Sequence, residues 1–306
     1  MTQKILVYGA NGSQAGLAAQ ALLDSGFQLR ILTRNAAKAT AWKDKGVEVV
    51  IGNMRDVDVL TRASEGCDAV FLLVPTVRGS NEEGVVFGVN AVKAAKAAGI
   101  QQLVWNTSGP IADEGSDGAK IDPGACVLRQ LREAGISFLG LQPTLYMENF
   151  LGPWTTGRLA KEDVLAYPIP HDFKVQWVAA RDFGVIAAAA FSAGKFPNEV
   201  IQLGGPEALD GKAAAATFSR VLDRDLTFET MAVEDFRAQL QPLVGPFIAG
   251  IVSGLYGAIQ GAPDQLQPAF AMDMAPIARQ YNIVLTPLER WIEQHKAVFK
   301  VASSKK

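Results

Sequence analysis

The sequence predicts an α/β protein: an open, doubly wound parallel sheet with helices on both faces, followed by a smaller α/β C-terminal lobe. Three observations predict it. Short apolar runs alternate with stretches of helical periodicity as far as Leu141, a glycine-rich turn joins the first run to the first periodic stretch, and beyond Gln142 Pro- and Gly-rich segments break that rhythm.

Lys4–Tyr8 (KILVY) reads as a strand ending in Gly9, and Gln14–Ser25 as a helix stopped by Gly26. Leu29–Leu32 is a second strand, Ala36–Lys45 a second helix closed by Gly46, and Val47–Ile51 a third strand, each strand run too apolar for a half-exposed sheet. The pattern continues through a helix at Val57–Ser64, a strand at Ala69–Val74, a long helix at Asn81–Ala98, a strand at Leu103–Asn106, a helix near Ala125–Glu133 and a strand at Phe138–Leu141. Strands separated by helices of this length run parallel with right-handed crossovers, and such sheets bind ligands at the carboxyl ends of their strands. In the second half, Val164–Tyr167, Val175–Val178 and Val200–Leu203 read as short strands. Arg181-Asp182-Phe183 opens a helix with Asp182 near its positive end.

At 306 residues the chain exceeds one average domain, and 29 Lys+Arg against 31 Asp+Glu leaves no charge excess for a polyanion, so no nucleic-acid partner is expected. Met-Thr-Gln-Lys leads straight into a strand without the marks of a signal peptide, so a cytoplasmic protein is expected. Cys67 and Cys126 read as reduced, buried thiols; His171, in the exposed turn PIPHDF, and His295 lack ligand spacing, so no metal is expected. The charge-free stretch Leu240–Ala262 approaches the length of a membrane span. Its two prolines, two glutamines and five glycines favour an apolar wall of the second lobe instead, so no membrane partner is expected.

The first turn, Gly9-Ala10-Asn11-Gly12-Ser13-Gln14-Ala15-Gly16, has the form of a pyrophosphate cradle: Gly9 makes the tight turn, Gly12 lets the backbone approach, and the next helix offers free N–H groups. Gly9, Asn11, Gly12, Ser13 and Gln14 are therefore candidate cofactor-binding residues. An NAD site wants a carboxylate after the second strand, whereas Leu32-Thr33-Arg34-Asn35 supplies an arginine, with Lys38 one turn on. Arg34 suits the 2′-phosphate of NADP(H), which a carboxylate would repel. Asn53 and Met54, after Gly52, are placed to border the adenine, Leu73, Val74 and Pro75 to lie beside the ribose and diphosphate, and Thr107 to close the cofactor site at the fifth strand. Residues 1–150, with returning segments near 175–205, would form the NADP-binding domain, and 151–306 mainly the substrate lobe.

GANGSQAG after the first strand, LTRN after the second, IGNMRD after the third, LVWNTSG at the fifth and LQPTLYMENF at the sixth, in that order, resemble the NmrA-like branch of the atypical short-chain dehydrogenase/reductases. VQWVAARDFGVIAAAAF and VIQLGGPEAL extend the resemblance into the second lobe. It implies a Rossmann fold binding NADP(H) or NAD(H), in a family of quinone, dye and isoflavone reductases and of non-catalytic regulators that sense the cofactor. Ala15 stands where the family has its third glycine, and Gln142 where it has an arginine. The YxxxK pair of short-chain dehydrogenases is missing. Gly124 aligns with the lysine of isoflavone-reductase-like enzymes, with Lys120 four residues upstream.

Reducing an ordinary ketone needs a proton donor for the developing alkoxide, which this chain does not obviously supply. A conjugated, electron-poor acceptor spreads the incoming charge, so orientation against the nicotinamide supplies most of the acceleration. The expectation is NADPH-dependent hydride transfer to a small quinone-like or dye-like acceptor. Ser108 and Tyr146 are the candidate proton donors, and Tyr146, Met147, Asn149, Phe150 and Trp154 the candidate pocket residues, with Trp177 a further wall. Core packing is the competing reading of the aromatics, and hydrogen bonding of the turn that of Thr107 and Ser108. Two alternatives stay open: a non-catalytic NADP(H)-sensing regulator acting on a protein partner, and an isoflavone-reductase-like enzyme of enones or benzylic substrates that uses Lys120. Association as a homodimer is compatible with each.

Overall fold

The computed structural model describes residues 2–75, 80–113, 116, 118 and 122–303, with side chains to residue 299. In chain order it runs β1 (Lys4–Tyr8), α1 (Ser13–Asp24), β2 (Gln28–Thr33), a 3₁₀ turn (Ala36–Ala39), α2 (Thr40–Lys43), β3 (Glu48–Ile51), α3 (Val57–Ser64), β4 (Ala69–Leu73), α4 (Asn81–Ala97), β5 (Gln102–Asn106), α5 (Pro123–Ala134) and β6 (Ser137–Pro143). There follow β7 (Leu145–Tyr146), a 3₁₀ turn (Met147–Leu151), α6 (Pro153–Glu162), β8 (Val164–Tyr167), β9 (Val175–Val178), α7 (Ala180–Ala193) and β10 (Glu199–Leu203). The remainder is β11 (Ala208–Leu209), α8 (Gly211–Leu222), β12 (Thr227–Thr230), α9 (Val233–Val244), α10 (Pro246–Gly261), α11 (Pro263–Phe270), α12 (Ala275–Tyr281) and α13 (Leu288–Ser303). Two compact units result: Met1–Pro143 with Ala180–Gln202 and Tyr281–Ile283, and Thr144–Ala179 with Leu203–Gln280 and Val284–Lys306.

The first unit is built on a seven-stranded sheet of order β10-β6-β5-β4-β1-β2-β3. The pairings from β3 through β6 are parallel, with Val7 opposite both Ile31 and Phe71. The order reverses between β1 and β4, which makes their carboxyl ends the topological switch point where such sheets bind ligands. Leu6, Tyr8, Val70, Leu72, Leu103, Trp105 and Phe138 fill one core, with helix residues such as Phe87 and Leu131 above them. On another part of the unit α7 lies against α1, at a spacing that Gly184 permits: a Cβ there would stand 2.1 Å from the Ala18 carbonyl oxygen.

Two expectations about this unit are corrected. The second helix is not continuous over Ala36–Lys45 but a 3₁₀ turn running into a single α turn, because Ala39 and Trp42 are its only buried residues and the Asn35 side chain draws the Ala37 amide into a local turn at 2.9 Å. The third strand is the sheet edge, with Glu48 and Ile51 exposed, so its run of apolar letters does not mark a strand covered on both faces. Of the two thiols, Cys126 is buried but Cys67 only half-buried, and both are free.

The second unit has a small sheet of order β11-β9-β7 and a parallel β8–β12 pair. Its core is aromatic, formed by Phe150, Tyr167, Trp177, Phe218, Phe236, Tyr256 and Trp291 among others. The charge-free stretch breaks at Gly245 (φ 86°) into the end of α9 and the whole of α10, which buries the stripe Ala249, Ser253, Tyr256 and Ile259. No helix among the described residues is long and apolar enough to cross a membrane.

Candidate functional site: a glycine turn and its neighbouring strand ends

Gly9 leaves β1 with φ 80°, in the region that favours glycine, and a Cβ on it would stand 3.3 Å from Leu73 Cδ2 at the end of β4. The turn closes with the Gly12 amide donating to the Gly9 carbonyl at 2.8 Å. Gly12 is the N-cap of α1 in extended conformation and has no side chain to satisfy the first-turn amides, so those N–H groups and the positive end of the helix dipole face outward. A Cβ on Gly12 would lie 3.2 Å from the Gly9 carbonyl oxygen. At the motif's third position Ala15 is buried with its methyl group accommodated. The closest backbone approach falls one residue later, where a Gly16 Cβ would lie 2.9 Å from the Ala10 carbonyl oxygen.

Asn11 donates its amide to Thr33 Oγ1 at 2.7 Å and so ties the turn to the end of β2. Thr33 Oγ1 also accepts the Asn35 amide at 3.2 Å, and these bonds fix the backbone on either side of Arg34. Arg34 and Lys38 are exposed, Arg34 forms no ion pair among the described residues, and no carboxylate stands at this strand end. Sequence reasoning missed Thr33; a threonine closing an apolar strand carries no motif of its own.

Asn53 forms a local turn, its Oδ1 accepting the Arg55 amide at 3.1 Å. Met54 packs into the core of the first unit, while its carbonyl accepts from Asn90 Nδ2 at 3.1 Å. Leu73, Val74 and Pro75 are half-buried at the end of β4. At the end of β5, Thr107 donates its hydroxyl to the Gly109 carbonyl at 2.7 Å. Ser108 adopts φ 64°, its amide donates to Asn106 Oδ1 at 2.8 Å, and its hydroxyl donates to Gln14 Oε1 at 3.1 Å. Lys120 lies outside the described residues. At Gly124 a Cβ would meet Ile111 at 3.0 Å and Asp122 Oδ1 at 3.1 Å, so the position that aligns with the reductase lysine is closely overlaid.

The remaining sequence candidates lie in the second unit. Tyr146 and Met147 are buried at the end of β7 and the start of the following 3₁₀ turn. Asn149 is half-buried, and its carbonyl accepts from Trp154 Nε1 at 2.9 Å. Phe150 has no exposed surface; its ring lies 4.3 Å from that of Trp177 and 5.5 Å from that of Tyr167, the position of a core aromatic. The Tyr167 and Tyr256 hydroxyls meet at 2.5 Å with the Asn149 amide beside both, and burial pushes both phenols well above their usual pKa. No motif joins these residues.

A model of the NmrA-like family matches residues 1–259. The chain is 26% identical over 276 residues to NAD(P)H azoreductase of Xenophilus azovorans, covering 89% of this chain and 91% of the relative. It is 29% identical over 295 residues to (4-alkanoyl-5-oxo-2,5-dihydrofuran-3-yl)methyl phosphate reductase of Streptomyces griseus, covering 96% and 99%. Among solved structures, that of Citrobacter sp. triphenylmethane reductase complexed with NADP(H) superposes with a TM-score of 0.75 at 22% identity, covering 97% of this chain and 99% of the other.

Proposed function

Since this chain belongs to the NmrA-like family, we propose that it is an NADPH-dependent oxidoreductase transferring hydride to a small, conjugated, electron-poor acceptor of quinone or dye type. The observation that carries this reading is the uncapped start of α1 behind the Gly9–Gly12 turn, with an exposed arginine that forms no ion pair among the described residues, and no carboxylate, at the end of the neighbouring strand. The first unit holds the dinucleotide and the second contacts the acceptor. The residues fit NADP(H): the amides of Ser13, Gln14 and Ala15 take the diphosphate, Gly12 leaves room for it, and the Arg34 guanidinium, with Lys38 close in sequence, takes the 2′-phosphate.

When bound, the reduced dinucleotide supplies a hydride. The chain's own contribution is orientation and polarity. Thr107 and Ser108, at the end of β5, border the nicotinamide side of the switch point, and Ser108 carries the one hydroxyl there that already donates toward the dinucleotide turn. Tyr146, Met147, Asn149 and Trp154 are the acceptor-contacting residues, with Phe150 behind them. The relatives' names support the acceptor class, since an azo compound, an unsaturated lactone and a triphenylmethane dye all take hydride into a conjugated system. The test is to mix the purified protein with NADPH and a panel of quinones and dyes. Acceptor-dependent loss of reduced-nicotinamide absorbance is expected, whereas binding of NADPH without consumption across the panel would make the protein a cofactor sensor.

A further inference from the structure

The turn that follows β3, Asn53-Met54-Arg55-Asp56, is held from outside by one face of α4. Asn90 is half-buried there, and its Nδ2 donates to both the Met54 carbonyl and the Arg55 carbonyl at 3.1 Å. Two turns earlier on the helix Glu83 Oε1 accepts Arg55 Nε at 2.9 Å, and between the two the Phe87 ring centroid lies 5.9 Å from the same guanidinium. Positions 83, 87 and 90 share one helix stripe. Three side chains of that stripe therefore meet a single short turn.

The turn is tied in its other direction to the candidate site. Asn53 Oδ1 accepts the Arg55 amide at 3.1 Å and the Asn53 carbonyl accepts the Asp56 amide at 3.0 Å. The preceding Gly52 amide donates to the Thr33 carbonyl at 3.0 Å, and Thr33 Oγ1 accepts from Asn11 of the glycine turn. Hydrogen bonds and the backbone between them thus run from Asn90 through the ends of β3 and β2 to the turn after β1. The far end of this path is firm, because α4 sits closely on α5: a Cβ on Gly84 would stand 2.8 Å from Pro123 Cγ, and one on Gly88 would strike Val127. Burial does not demand the grip. The bond to the Arg55 carbonyl lies at the surface, where water would satisfy that oxygen as well, and the Arg55 side chain is 59% exposed, so its pairing with Glu83 adds little stability.

On the NADP(H) reading above, in which the turn after β3 borders the adenine, we propose that Asn90 is a positioning residue for the dinucleotide. By holding the Met54 and Arg55 carbonyls toward α4 it keeps the turn, and Asn53 within it, set for the adenine before the dinucleotide arrives. Asn90 acts through that backbone and touches neither the dinucleotide nor the acceptor. Without its amide the turn gains freedom that binding must take away again, so affinity for the adenylate half falls. Hydride transfer, at the other end of the dinucleotide, is left alone.

The experiment compares the full chain with Asn90→Leu, which keeps the side-chain volume and removes the donor, and with Asn90→Ser, which keeps one shorter donor. Each is titrated calorimetrically with adenosine 2′,5′-bisphosphate, the adenylate half of NADP(H) without its nicotinamide, and assayed with NADPH and a quinone. Asn90→Leu is expected to weaken adenosine 2′,5′-bisphosphate about tenfold, the scale of one lost hydrogen bond, and to raise KM for NADPH by a similar factor with a much smaller change in kcat. Asn90→Ser is expected to fall between, and gives the same reading if Asn90→Leu does not fold. Unchanged affinity for adenosine 2′,5′-bisphosphate in a folded variant, or a fall in kcat with KM unmoved, overturns the proposal. Weakened binding by the variants of a chain that consumes no NADPH upholds the positioning role and contradicts only the reductase reading. Absence of binding by the unsubstituted chain overturns the positioning role and the NADP(H) reading together.

Discussion

Ser108, held at φ 64° at the end of β5, donates its hydroxyl to Gln14 Oε1 at 3.1 Å, joining the first turn of α1 to a strand 94 residues further along the chain. In the sheet β4 lies between β1 and β5, so the bond links residues that follow strands on the two sides of the switch point. A non-glycine residue in left-handed backbone costs about 1–2 kcal/mol, and such strain concentrates at functional sites.

A double-mutant cycle measures this link. Ser108→Ala and Gln14→Leu are each expected to destabilise the chain by about 0.5–1.5 kcal/mol, and the double variant by less than their sum. Denaturant midpoints check it; strict additivity would mean that the two side chains do not interact in solution.

Gly12→Ala is expected to leave the thermal midpoint nearly unchanged while weakening NADPH binding at least tenfold. The new methyl group lies 3.2 Å from the Gly9 carbonyl oxygen, which the turn absorbs with a small shift, but it occupies the approach of the diphosphate. Fluorescence titration of NADPH against both proteins gives the ratio.

Glycines that serve packing behave differently. Gly184→Ala puts a Cβ 2.1 Å from the Ala18 carbonyl oxygen and is expected to cost about 3 kcal/mol or more by forcing α7 off α1. Gly157→Ala, on α6 with nothing within 4 Å, is expected to stabilise by about 0.5–1 kcal/mol. Melting curves of the two variants should move in opposite directions.

The acid side of stability involves Glu48. Hydrogen bonding from Lys4 and then from Arg30 holds its carboxyl below the usual range, although the side chain is largely exposed and the pair is screened. Because the folded-state pKa is depressed, the stabilisation is complete above the ordinary carboxylate value and disappears as pH falls through the folded one. Glu48→Gln is therefore expected to lower stability at pH 7 by no more than about 1 kcal/mol and to leave it unchanged near pH 2. Urea unfolding at both values checks the sign.

Legibility from sequence followed the range of the interactions. KILVY, VDVLTRAS, VLAY and VQWV announced their elements to the residue, because local apolar pattern and flanking turn residues decide them. The segment after Arg34 departs from a continuous helix because its few apolar residues do not form a helical stripe, and β3 is an edge strand whose letters are those of a central one. The glycine turn was legible as a motif. The Asn11–Thr33 tie and the Tyr167–Tyr256 pair were not, since they join residues 22 and 89 positions apart that no local pattern relates.

The most direct measurement of the central claim is calorimetric titration of the chain and of Arg34→Ala with NADPH and with NADH. The account predicts that the unsubstituted chain binds NADPH at least tenfold more tightly than NADH, and that Arg34→Ala removes most of that preference while leaving NADH affinity nearly unchanged. No measurable binding of either dinucleotide would contradict the account.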